Sequence, residues 1–215
     1  MIESYVEAIE KNGFAVIPDV IAPEVVAGLI RELEGVRSEG VIRRQQSIYG
    51  IRNLLHVAPL VRALADSAPI RSLVEPLLGQ EAFVVRSLFF DKSPETNWSV
   101  AWHQDLTVAV RERRPVEGFG AWSIKAGVPH ALAPVSVLGN MLAVRLHLDD
   151  TDSANGALRV LPGSHRFGRL SDEQAERWEQ AGSPITCSVA KGGVLVMRPL
   201  LLHASSPSLR SAHRS

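Results

Sequence analysis

A chain of 215 residues has the size of one domain, because a single hydrophobic core typically serves about 100 to 200 residues. Its 23 lysines and arginines balance 23 aspartates and glutamates, which gives no electrostatic basis for nucleic acid or another polyanion as a partner. The 46% hydrophobic content is ordinary for a globular protein, and no apolar run approaches the length of a membrane span.

The opening, Met1-Ile2-Glu3-Ser4-Tyr5, has no basic stretch leading into an apolar one, so export is not expected. A single cysteine, Cys187, excludes an internal disulfide framework and fits a reducing cytoplasm; as a free cysteine it is expected to be a small buried hydrophobe. Residues 3–11 read as a short helix ended by the turn dipeptide Asn12-Gly13, and Phe14 to Ile17 as a short strand. Pro23 suits the first position of a helix in which Val25, Val26, Leu29, Ile30 and Leu33 repeat at helical spacing up to Gly35. Residues 37–57 lack periodicity and read as a loop. Pro59 to Asp66 and Pro69 to Leu78 read as two further helices, with Gly79 as a stop.

From about residue 81 the character changes. Ala82 to Phe90, Val100 to Leu106, Met141 to Leu148, Leu158 to Leu161, Ile185 to Val189, Val194 to Met197 and Leu200 to His203 are short and strand-like. A helix is expected near Ser171 to Gln174, where the two end residues have capping-box spacing. Strands after a helical beginning predict a mainly β domain, a sandwich or barrel with helices on one side. The stretch Thr107 to Asn140 shows little strand pattern. Together with residues 43–56 it is expected to act as a binding loop that sets substrate choice.

Trp102-His103-Gln104-Asp105 sets a histidine and a carboxylate two apart on a predicted strand, where residues i and i+2 share a face. Alone, such a pair is common by chance. His203 supplies the best third ligand, because it ends the apolar run Val194 to Leu202, where an inward histidine needs a polar partner or a metal. Two histidines and a carboxylate suit non-haem Fe(II) and leave coordination positions open. Zinc accepts the same set, so a zinc or manganese hydrolase or isomerase stays open, as does a catalytically silent binding scaffold. Arg214, eleven residues after His203, favours iron with a chelating oxo acid, since its fork matches a carboxylate.

With Asn155-Gly156-Ala157-Leu158-Arg159-Val160-Leu161-Pro162-Gly163-Ser164-His165 and Leu202-His203-Ala204-Ser205, these segments resemble the phytanoyl-CoA dioxygenase family of Fe(II)/2-oxoglutarate oxygenases, in order and spacing, from Gly13 onward. The resemblance implies a double-stranded β-helix, or jelly roll, at about 81–215, with an N-terminal helical part at about 1–80 packed on one sheet. It implies His103, Asp105 and His203 as iron ligands, Arg214 and Ser205 on the distal carboxylate of 2-oxoglutarate, and Lys92 at the same cosubstrate or at the substrate. It also implies dioxygen as the second co-substrate and oxidation of a small organic molecule with release of succinate and carbon dioxide. In this family the arginine lies in a last strand that continues for several residues, whereas this chain stops at Ser215. Either the sequence is shortened or the protein lacks that strand.

Alternation along Met141 to Leu148 puts Arg145 and His147 on one face, where they line the cavity or pair with Asp149, Asp150 or another carboxylate. Trp98, Trp102 and Trp122 are expected around the mouth, as pocket walls or as core. His165 is expected to be structural, and Arg111, Arg113 and Arg114 a solvated cluster.

Overall fold

The computed structural model describes residues 2–37, 41–44, 48–91 and 98–208. Its helical opening follows the sequence pattern: α1 (Ile2–Asn12), β1 (Phe14–Ile17) and α2 (Pro23–Gly35). Pro23 opens α2, where its missing N–H is one the helix would leave unbonded in any case, and Val26, Leu29 and Leu33 bury one face. There follow β2 (Ile42–Arg44), β3 (Ile48–Arg52), α3 (Leu54–Val57), α4 (Pro59–Ala65) and α5 (Ala68–Leu78). Strands β2 and β3 and helix α3 lie where a loop is expected. Their anchors, Ile51 and Leu54, are buried against α2, but two isolated apolar residues make no period.

Beyond them come β4 (Leu88–Phe90), β5 (Val100–His103), β6 (Thr107–Ala109), β7 (Gly120–Lys125), β8 (Val128–Leu132), α6 (Val135–Leu138), β9 (Ala143–Leu146) and β10 (Leu158–Val160). The last elements are α7 (Asp172–Ala181), β11 (Ile185–Thr186), β12 (Val194–Met197) and β13 (His203–Ser205). Helix α7 starts with the expected reciprocal cap between Ser171 and Gln174.

Two antiparallel sheets face each other, one ordered β1-β12-β9 and the other β11-β10-β13-β5. Leu158, Val160, Cys187, Val189, Leu195, Met197 and Leu201 fill the space between them. On the other side of β12, Val194 and Val196 pack with Tyr5 and Ile9 of α1 and Leu73 of α5. Strand β12 is thus buried on both faces, which is why it reads as an unbroken apolar run. Each such side chain contributes about 1.5–3 kcal/mol. This is the jelly roll that the resemblance implies, with helices packed on the β1-β12-β9 sheet.

The remaining strands form sheets ordered β2-β3-β4 and β6-β8-β7. The second corrects the expectation for Thr107 to Asn140, which contains three strands and the turn of helix α6. Its β7–β8 hairpin turns on Ala126 (φ +50°) and Gly127 (φ +77°), the backbone a two-residue hairpin loop requires. Among the described residues no helix is long and apolar enough to cross a membrane.

Candidate metal centre

Strand β5 ends at His103, so Asp105 lies past the strand rather than within it. A shared strand face therefore does not place its carboxylate. The chain turns, and the Asp105 N–H donates to the Pro199 carbonyl at 2.9 Å, in the segment that leads into β13. Gln104 secures the same turn: Nε2 donates to the carbonyls of Gly168 (2.8 Å) and Leu200 (2.6 Å), and Oε1 accepts from the Leu170 N–H at 2.9 Å. His203 opens β13 directly opposite His103. The two imidazole centroids are 4.2 Å apart, His203 Nε2 lies 3.9 Å from Asp105 Oδ2, and one potential ligand atom from each of the three residues falls within 4.8 Å of the others.

The backbone sets the tautomers. His103 Nδ1 donates to the Ala101 carbonyl at 2.9 Å, and His203 Nδ1 donates to the Leu201 carbonyl at 2.8 Å. A carbonyl only accepts, so each neutral ring carries its proton on Nδ1 and presents the Nε2 lone pair. Burial pushes the His203 pKa down to about 4, with Asp105 opposing and His103 assisting. The ring is consequently neutral at physiological pH. The Asp105 side chain is 52% exposed. Two imidazole nitrogens, each ring held from behind by a backbone carbonyl, and a carboxylate fit an Fe(II) site with open positions.

Register sorts the neighbours. Val160 lies opposite His203, and Leu158 opposite Ser205, so His203 and buried Ser205 share the inner face with the core residues Leu158 and Val160. Arg159 is on the outer face, its guanidinium 5.4 Å from the Trp102 ring centroid. Trp102 therefore backs the ligand strand instead of lining the mouth. Trp98 meets Phe90 edge-on, and Trp122 stands in β7 with the Arg113 guanidinium 5.7 Å from its centroid. Arg145 lies opposite Leu195 on the inner face of β9. His147, past the end of β9, is buried and bonded through Nδ1 to Thr151 Oγ1 at 2.9 Å, not to Asp149 or Asp150 through that atom. Lys92 and Arg214 lie outside the described residues.

The Pro162-Gly163-Ser164-His165 turn earns its place by holding the strand that carries His203. Ser164 Oγ donates to the Leu161 carbonyl and accepts from the Leu202 N–H, both at 2.8 Å. His165 Nε2 donates to the Glu10 carbonyl at 3.2 Å, tying the turn to α1; its structural role is as expected. Cys187 is buried, and burial pushes its thiol up to about 12 against the opposing influence of Arg145. Gln104 and Arg86 were not singled out from sequence. Arg86 precedes β4 and feels the Asp105 charge, but a lone arginine in an apolar stretch gives no periodic signal.

The family model for phytanoyl-CoA dioxygenase (PhyH) matches residues 9–214. An ectoine dioxygenase from Bordetella parapertussis is 26% identical over 170 residues, covering 75% of this chain and 48% of that protein. Phytanoyl-CoA dioxygenase domain-containing protein 1 of Rattus norvegicus is 24% identical over 185 residues, covering 79% and 55%. The chain thus spans about half the length of the curated relatives it matches. Among solved structures, EctD from S. alaskensis with 2-oxoglutarate and 5-hydroxyectoine superposes with a TM-score of 0.74 at 19% identity, covering 97% of this chain and 71% of EctD. AviO1 from Streptomyces viridochromogenes gives 0.70 at 22%, covering 100% and 91%. These structures share the fold, and the family match runs through nearly every element described above: the chain belongs to the phytanoyl-CoA dioxygenase family.

Proposed function

We propose that this protein is a non-haem Fe(II)- and 2-oxoglutarate-dependent oxygenase that hydroxylates a small organic molecule, releasing succinate and carbon dioxide. The observation that carries the proposal is the convergence of His103, Asp105 and His203 with both Nδ1 atoms committed to backbone carbonyls. Family membership favours iron over zinc for this donor set. When bound, iron would supply the activation of dioxygen at the expense of 2-oxoglutarate.

The protein's own residues have distinct tasks in this reading. His103 and His203 offer neutral nitrogens in fixed orientation, and Asp105 offers the anionic oxygen at the open side. Ser205, two residues beyond His203 on the same inner face, holds a carboxylate of 2-oxoglutarate. Arg214 anchors the distal carboxylate, and Lys92 serves the same co-substrate or the substrate. The apolar side chains between the sheets keep water from the inner side of the centre. The lone buried Cys187 supports a reducing, cytoplasmic setting.

The test is an anaerobic titration of metal-free protein with Fe(II) and 2-oxoglutarate, reading the visible charge-transfer band of the chelate. Wild type is expected to give the band, His103→Ala to lose it, and Arg214→Ala to need more 2-oxoglutarate to reach it. Iron binding without a band at any 2-oxoglutarate concentration would sink the proposal.

A further inference from the structure

A cleft of about 240 Å³ is lined by Glu10, Gly139, His165, Arg198 and Leu200, and by none of the three candidate metal ligands. It forms where the last turn of α1, the C-terminal end of α6, the Pro162-Gly163-Ser164-His165 turn and the link from β12 to β13 come together. At about 30 Å³ for each water it has room for about eight, or for one molecule of a few carbon atoms.

The walls carry opposite charges that do not meet. Arg198 is half-buried, and among the described residues its guanidinium makes a single hydrogen bond, from Nη1 to the Gly139 carbonyl at 3.1 Å. A guanidinium offers its N–H donors in a rigid fork, so most of that capacity is unspent. Glu10 is exposed at the rim. Its backbone carbonyl accepts from His165 Nε2 at 3.2 Å, but its carboxylate has no hydrogen bond or ion pair among the described residues. The two long side chains could have paired directly; instead Arg198 is held toward Gly139. His165 adds no charge between them, since burial lowers its pKa and Arg198 lowers it further. Leu200, which is buried, supplies an apolar floor.

We propose that this cleft is a second binding site, which takes a small zwitterion of the amino-acid kind, its carboxylate on the Arg198 guanidinium and its ammonium group toward the Glu10 carboxylate. Charge complementarity selects this class. An anion alone gains the arginine fork but meets Glu10, and a cation alone gains Glu10 but meets Arg198. The site stands apart from the oxygenase reading, because its lining includes no candidate metal ligand.

The experiment titrates isotope-labelled, Zn(II)-loaded protein with glycine, β-alanine and 4-aminobutyrate, following the backbone amide NMR shifts of Gly139, His165 and Leu200. Each amino acid is compared with the compounds that lack one of its charges: acetate and methylamine, propionate and ethylamine, butyrate and propylamine. At least one amino acid is expected to bind about tenfold or more tightly than both of its counterparts. That preference is expected to fall to within about threefold in Arg198→Met and in Glu10→Gln. Because Arg198→Met also removes the bond to Gly139, the exposed Glu10→Gln change carries the test should the first variant fail to fold. A single-charge compound that binds as tightly as its amino acid would overturn the proposal, and so would a preference that survives in Glu10→Gln. Shifts centred on His103 and His203 instead of the cleft would overturn it as well, by assigning the molecule to the metal centre.

Discussion

Replacing Gln104 with alanine should weaken metal binding although Gln104 is not itself a ligand. Its side chain lies between His103 and Asp105 in sequence and makes three hydrogen bonds to three different backbone groups. Each is worth about 0.5–1.5 kcal/mol net, and the half-buried partners left behind add desolvation cost, so the total loss is about 2–4 kcal/mol. Part of this falls on global stability. The rest falls on the turn that aims Asp105, where the Asp105 N–H bond to Pro199 would remain without its neighbours. Loss of such support typically lowers metal affinity about 10–100-fold. Titration with Co(II), followed by its visible ligand-field bands, reads the affinity, and urea unfolding of the metal-free protein reads the stability. Gln104→Glu should behave no better than alanine. It can accept from Leu170 but sets a carboxylate oxygen against two carbonyls. If Gln104→Ala loses stability yet binds Co(II) within about twofold of wild type, the residue is a staple only and the argument for aiming Asp105 is wrong.

Two further outcomes follow from the same structure. Gly156→Ala puts a Cβ 2.5 Å from the Ser206 carbonyl oxygen at φ +76°, and should cost about 2–4 kcal/mol in urea unfolding, combining left-handed strain with a backbone clash. Gly79→Ala, at φ +81° with nothing within 4 Å, should cost only about 1 kcal/mol, and equal losses in the two variants would remove close approach as the cause. Burial lowers the pKa of both His130 and His165. Below about pH 6.5 the unfolded chain therefore takes up protons that the folded chain resists. Stability should fall as pH drops from 7 to 5.5, and a His130→Gln, His165→Gln double variant should show a shallower decline; an unchanged slope would show that neither histidine contributes.

The parts of the fold legible in sequence are those where burial is two-sided or a turn is chemically explicit. Strand β12 reads out as an apolar run because helices cover one face and the opposite sheet the other. The α7 start reads out because Ser171 and Gln174 bond as their spacing requires. The β6-β8-β7 sheet is hidden for the converse reasons. Its hairpin turns on Ala126-Gly127, which lacks the asparagine that advertises such a loop, and β7 buries no residue fully, so no period of two appears. At the site, the ligand residues stand out by type and by the apolar run before His203. The placement of Asp105 does not, because backbone contacts between residues 105 and 199 set it, and no spacing rule covers them.

The segment from Asn155 to His165 carries none of the three candidate ligands, yet it governs the candidate metal centre through register. Strand β13 has three residues, and a slip of one against β10 would bring Ala204 to the inner face and turn His203 and Ser205 outward. Three independent contacts oppose that slip. Gly156 lets the chain approach within contact of Ser206 beyond one end of β13. Ser164 fixes the Leu202 N–H at the other end. Arg159, outside, stacks on Trp102 of β5, so the strands flanking β13 are tied to each other across it. Because β13 sits between β10 and β5, the register of β10 against β13 and the facing of His203 to His103 are decided together. A sequence that kept the three ligands but lost Gly156 or Ser164 would retain the donor atoms without the alignment that brings them within reach of one ion.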